Sequence, residues 1–145
     1  MLISILNAYL RDLHPECCRA SWRVKSIING MGVCPDQMTV VTVGQDRQAM
    51  IWDIRSPNVV RTLPNIHEGE PGCVAVNPSG TAFATGGADG MVKLWDLQSG
   101  ALIGAGACHS ANVSKIVFPQ AEGPDQPIVS VALDGSMALS HMPAL

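Results

Sequence analysis

Charge is scarce in this 145-residue chain. Nine Lys and Arg stand against twelve Asp and Glu, a formal net charge of −3, and charged residues make up 14% of the sequence where a globular domain carries about 25%. A surface this poor in cations lacks the basic patch or stripe that nucleic acid or an acidic membrane calls for, so neither is expected as a partner. Long apolar runs are missing too, with no stretch approaching the ~20 residues that span a bilayer. The opening Leu2-Ile3-Ser4-Ile5-Leu6 is apolar, but it has no basic segment before it and no small-residue cleavage site after it, a poor match to a secretory signal peptide. Cysteine is present without pattern. Cys17, Cys18, Cys34, Cys73 and Cys108 form an odd set with no regular pairing, which reads as reduced thiols in the cytosol or an equivalent compartment. Hydrophobic residues at 47% exclude intrinsic disorder, and the length is that of one domain able to bury roughly 70% of its unfolded surface.

What the chain does contain is a repeat. The run Pro35-Asp36-Gln37-Met38-Thr39-Val40-Val41-Thr42-Val43-Gly44-Gln45-Asp46 aligns with Pro78-Ser79-Gly80-Thr81-Ala82-Phe83-Ala84-Thr85-Gly86-Gly87-Ala88-Asp89 at an offset of 43 residues. The same offset carries Ile51-Trp52-Asp53-Ile54 onto Leu94-Trp95-Asp96-Leu97. A third copy begins at Val113 and resumes at Ile128-Val129-Ser130-Val131-Ala132-Leu133-Asp134-Gly135, with an insertion expected in the loop 120–126. A period in the low forties ending in Trp-Asp marks a WD-repeat propeller blade of four short antiparallel strands. The expected fold is therefore all-β: about three WD-repeat β-propeller blades, a partial propeller, with repeats at about 26–57, 58–100 and 101–145.

Several positions recur with a physical purpose. A hydroxyl residue (Thr42, Thr85, Ser130) stands four before each turn Asp (Asp46, Asp89, Asp134), and Trp52 and Trp95 stand six after it. An Asp in a tight turn accepts from backbone N–H groups that have no ladder partner, and a buried hydroxyl and indole N–H need partners of their own. These residues, with His109, form the expected structural network. The usual His before the first strand is read only at His109; Glu68 takes its place in the second copy, with His67 one residue off, and Lys25 in the first. Ser140 stands where a third Trp belongs.

Residues 1–25 form an N-terminal segment of two readings. Leu2, Ile5, Leu6, Tyr9, Leu10 and Leu13 suit one face of a short helix, while the 43-residue offset places Tyr9 under Trp52 and favours a strand left from an earlier blade. Cys17 to Val24 then read as an outer strand, and Ser26 to Val33 as the innermost strand of the next blade. Three blades do not close a ring, so two exposed blade faces are expected, covered by the remainder of a propeller or by a neighbouring chain.

Catalytic chemistry finds no constellation here. His14, Cys17, Cys18 and Cys34 lack the paired short spacings of a zinc site, and Gly86-Gly87-Ala88-Asp89-Gly90 lacks the Lys-Ser/Thr and the helix of a phosphate cradle. The repeated Asp residues sit a blade apart, the spacing of turn caps and not of a general acid–base pair. The chain is expected to be no enzyme and to hold neither metal nor cofactor. Arg47 and Lys93 are weak candidates for partner contacts.

The run Ile27-Ile28-Asn29-Gly30-Met31, then Gly44-Gln45-Asp46-Arg47, then 84–96, Gly106-Ala107-Cys108-His109-Ser110-Ala111-Asn112-Val113 and 128–135 resembles the last blades of the cilia- and flagella-associated protein 52 family over roughly residues 26–140. That resemblance implies a two-propeller ciliary protein on the luminal wall of the axonemal doublet microtubule, in the B-tubule near the inner junction. There it would contact tubulin and other inner proteins and stiffen the lattice without catalysis. The expected localisation is cytoplasm, cytoskeleton and the axoneme of the cilium or flagellum. The alternative is a soluble cytoplasmic WD-repeat adaptor or substrate-receptor subunit of a multiprotein complex.

Overall fold

The computed structural model describes residues 23–56, 58–120 and 126–141. The helix and strand readings of residues 1–13, nearly all of the outer strand from Cys17, and the His14, Cys17 and Cys18 corner lie outside them. The described residues form eleven strands and no helix. The first sheet contains β1 (Ile28–Val33), β2 (Thr39–Gly44), β3 (Ala49–Asp53) and β4 (Val59–Leu63), and the second β5 (Pro71–Val76), β6 (Ala82–Gly87), β7 (Met91–Asp96) and β8 (Leu102–Ala107). A third holds β9 (Val113–Val117), β10 (Pro127–Ala132) and β11 (Met137–His141). Each sheet is an antiparallel meander in chain order. The fold is thus all-β, three stacked blades of a propeller type, as expected. The blade boundary differs from the repeat boundary by one strand: β4 closes the first sheet although 58–100 was the second repeat, because a repeat counted to its Trp-Asp leaves the following outer strand to the next copy.

Short β-branched and small-residue strands suit sheets covered on both faces. In β6, Ala82, Phe83, Ala84, Thr85, Gly86 and Gly87 are all buried. Phe83, with Val74, packs toward the first sheet on Val41, Val43, Ala49, Ile51 and Ile66. Ala82 and Ala84, with Cys73, Val92 and Leu94, pack toward the third on Val113, Ile116, Phe118 and Ile128. The core therefore consists of two layers between blades, and each strand's alternation serves a different neighbour. β1, β5 and β9 lie side by side across the three sheets, which makes them the strands nearest the common axis.

All three first strands carry a bulge at the same place. The register skips Asn29 in β1, Gly72 in β5 and Ser114 in β9. The β2–β3 type turn recurs as well: the amides of Arg47, Gly90 and Gly135 bond back to the carbonyls of Gly44, Gly87 and Ala132, and those three residues take φ of 60°, 72° and 80°. Glycine holds this left-handed position in two turns at no steric cost. At Gly90 a second reason applies, since a Cβ there would stand 2.2 Å from the His109 carbonyl oxygen.

Candidate functional site

The polar residues singled out by the repeat converge on one side of each sheet, the side opposite the next blade. In the second sheet they make a continuous chain of hydrogen bonds. Trp95 Nε1 donates to Thr85 Oγ1 at 2.9 Å, His67 Nε2 lies 2.8 Å from the same Oγ1, and His67 Nδ1 lies 3.0 Å from both carboxylate oxygens of Asp89. Asp89 also accepts from the amides of Met91 and Glu68. One proton arrangement satisfies every member: neutral His67 donates from Nδ1 to Asp89 and accepts at Nε2 from the Thr85 hydroxyl, whose oxygen in turn accepts from Trp95. Burial pushes the His67 pKa below the usual histidine value, outweighing the opposite pull of the Asp89 carboxylate. Asp89 is itself raised by burial, but hydrogen bonds from the Met91 amide, His67 and the Glu68 amide win and hold it below its usual value.

His67, not Glu68, fills the histidine position of the second blade. Counting from the bulges shows why: His67 and His109 each stand five residues before theirs, at Gly72 and Ser114, so the second and third copies are offset by 42 before the loop and by 45 after it. The hairpin offset of 45 carried back from His109 lands on Pro64, three positions short of the imidazole. The same count puts Val24, not Lys25, at that place in the first blade.

The other two networks are incomplete in complementary ways. In the first blade Trp52 Nε1 donates to Thr42 Oγ1 at 2.9 Å, while Asp46 caps the Gln48 amide and the Ser26 hydroxyl accepts from the Asp46 amide. With no imidazole between them, Thr42 and Asp46 line a small pocket together with Val24, Ser26 and Met50. In the third blade His109 Nε2 lies 2.8 Å from Ser130 Oγ, but its Nδ1 meets Ser136 Oγ at 2.6 Å, and Ser136 passes the bond on to Asp134. Asp134, exposed, is held far below the usual carboxylate range by the Ser136 hydroxyl and amide and by Ser110. Ser140, at the Trp position, lies 3.6 Å from Cys108 Sγ.

The two candidate cations both bond to backbone carbonyls of the segment between the first two blades. Lys93 Nζ donates to the Ile66 carbonyl at 2.9 Å and Arg47 Nη1 to the Glu68 carbonyl at 3.4 Å, so they clamp the segment that carries His67 between the first two blades. Arg47 remains exposed beyond that contact and Lys93 is half-buried. Of the cysteines described, Cys34 and Cys73 are buried, and burial, helped at Cys34 by the Asp36 charge, pushes both thiols up to about 11. At neutral pH they are small apolar fillers, not thiolate ligands or nucleophiles.

Comparison with known proteins fits this geometry. The sequence profile described as "WD domain, G-beta repeat" matches residues 17–53 and 58–96, just over half of the chain. The chain belongs to the WD-repeat family. Each matched WD segment contains one turn Asp and one Trp-Asp pair. Among relatives, cilia- and flagella-associated protein 52 of Chlamydomonas reinhardtii is 32% identical over 132 residues, covering 90% of this chain and 21% of that protein. The Homo sapiens protein of the same name is 32% identical over 103 residues, covering 71% and 16%. Small ribosomal subunit protein RACK1y of Oryza sativa subsp. japonica is 36% identical over 69 residues, covering 48% and 20%. This WD-repeat chain thus spans about a fifth of the length of these curated relatives.

Proposed function

We propose that the chain is a structural scaffold of cilia and flagella, specifically a microtubule inner protein of the axonemal doublet that contacts tubulin and other doublet proteins. The observation that carries this is the 32% identity to the Chlamydomonas protein over 90% of the chain, since the RACK1y likeness covers 48%. The site chemistry agrees with a scaffold: the imidazole, carboxylate and hydroxyl groups that could work on a substrate are bonded to one another, and the sheets offer apolar faces. A lattice protein needs surfaces of that kind held rigid, and a complete network such as that of the second blade rigidifies one. Such a scaffold works by binding and does no catalysis; its place is the cytoskeleton, within the axoneme.

Salt extraction of axonemes from flagellated cells expressing the tagged chain tests the reading. Retention on the doublets through high salt, with density for the blades inside the tubule wall, is the expected result. Free release into low-salt buffer would identify the chain as a soluble cytoplasmic WD-repeat adaptor instead.

A further inference from the structure

One Asn-Gly pair occurs in the chain, Asn29-Gly30. Asparagine is thermolabile, and most so before glycine, whose bare Cα leaves the following backbone nitrogen free to reach the side-chain amide. The pair sits where the first blade meets the second. The register of β1 skips Asn29, so a bulge bends the strand at this residue. Close packing selects the glycine after it, since a Cβ on Gly30 would stand 3.1 Å from both Cys73 Cα and Val43 Cγ2. Two residues on, a Cβ on Gly32 would meet Val76 Cγ2 at 3.2 Å. β1 therefore lies tight against β5, and the packing that holds the two blades together keeps a labile pair in the strand. Asn29 also crosses the joint, its Nδ2 donating to the Pro71 carbonyl at 3.1 Å.

We propose that Asn29 is a modification site, deamidated without an enzyme when the first blade parts from the second, and that the product keeps the joint from closing again. The Gly30 backbone nitrogen gives its proton to solvent hydroxide and attacks Asn29 Cγ. The Cγ–Nδ2 bond breaks, and Nδ2 takes up a proton from water and leaves as ammonia. A second water opens the five-membered imide at either carbonyl, leaving aspartate or isoaspartate at this position; nothing is oxidised or reduced. The closed joint opposes this sequence. The leaving nitrogen is tied to the Pro71 carbonyl, and the imide ring fixes rotation about the Asn29 Cα–C bond at a value that extended strand does not have. Once formed, the product cannot restore the contact. A carboxylate in place of the amide sets acceptor against acceptor at Pro71, and isoaspartate adds a methylene to the main chain, which shifts the pairing of β1 with β2.

Mass spectrometry of the tryptic peptide 26–47 from the full chain, held in mildly alkaline buffer, follows the conversion at Asn29, and an isoaspartyl methyltransferase reports the isoaspartate. The expected conversion is fast in strong urea and about tenfold slower or more in the folded chain, because only the opened fraction reacts. Circular dichroism checks that the parent and each variant keep their sheets. Val76→Ala removes the methyl groups over Gly32 and should speed the folded-state conversion severalfold. Ile116→Val thins the packing between the second and third sheets and should leave it unchanged. Asn29→Asp makes one product directly and should speed hydrogen exchange of the β1 amides severalfold. No conversion in urea would overturn the site. Equal rates in the folded and unfolded chain, or equal acceleration by Ile116→Val, would overturn the gate at the first joint. Unchanged exchange in Asn29→Asp would overturn the lasting opening.

Discussion

Replacing Thr85 with Val tests whether the hydrogen-bond chain of the second blade stabilises the fold. The substitution keeps the shape and removes one oxygen that serves two partners, Trp95 Nε1 at 2.9 Å and His67 Nε2 at 2.8 Å. His67 is 2% exposed, so its nitrogen has no water to turn to, and an orphaned buried acceptor costs about 1–3 kcal/mol. The Trp95 ring is half-buried, so its lost bond adds about 0.5–1.5 kcal/mol. The expected loss is therefore about 2–4 kcal/mol, a large share of the 5–15 kcal/mol typical of a domain. Thr42→Val is the internal control: Thr42 binds Trp52, no imidazole completes that blade, and the loss should be about 0.5–1.5 kcal/mol. Urea unfolding followed by tryptophan fluorescence, at one fixed protein concentration, measures both. Equal losses for the two variants, or a larger one for Thr42→Val, would refute the reasoning that the imidazole makes the second blade's network expensive to break.

Acid should act through the same residue: burial lowers the His67 pKa in the fold, so the unfolded chain binds the proton more readily. The stability that neutral His67 contributes is then complete above about pH 6.5 and lost as pH falls through the lower folded value. Thermal melts from pH 7.5 to 5 should show a declining midpoint that flattens in His67→Gln; parallel curves would count against this. Val24→His should place an imidazole in the pocket between Thr42 and Asp46 and raise stability by about 0.5–2 kcal/mol, the usual gain of such repairs, read in the same urea assay; a loss would show that the pocket does not admit the ring. Gly90→Ala combines positive φ with a Cβ 2.2 Å from a carbonyl oxygen, whereas Gly135→Ala has the same φ sign and open space. The first should cost more than the ~1 kcal/mol expected of left-handed strain alone, the second about that amount, and comparable melting points would contradict the clash.

Most of the architecture could be read from repeated residues. The turn Asp residues, the hydroxyls four before them and the two Trp residues are local markers whose spacing survives because each belongs to one hairpin, β2–β3 or β6–β7 and their third-blade equivalent. The Trp-to-Thr hydrogen bonds among them need no more than that hairpin register. The imidazole was harder to place, since it comes from the segment linking two blades, and its distance from the hairpin varies with the loop between. Only the bulges at Gly72 and Ser114, seen in the strand register, bring His67 and His109 into line.

The sequence by itself determined the class of fold, the number of repeats and the positions of the turn caps, because period and turn chemistry are properties of neighbouring residues. Tertiary structure alone decided that His67 completes the second network, that Lys93 and Arg47 hold the linker instead of standing free, and which face of each strand meets which blade. Those outcomes depend on contacts between residues eighteen or more positions apart, and β-strands with apolar residues on both sides carry no alternation to announce them.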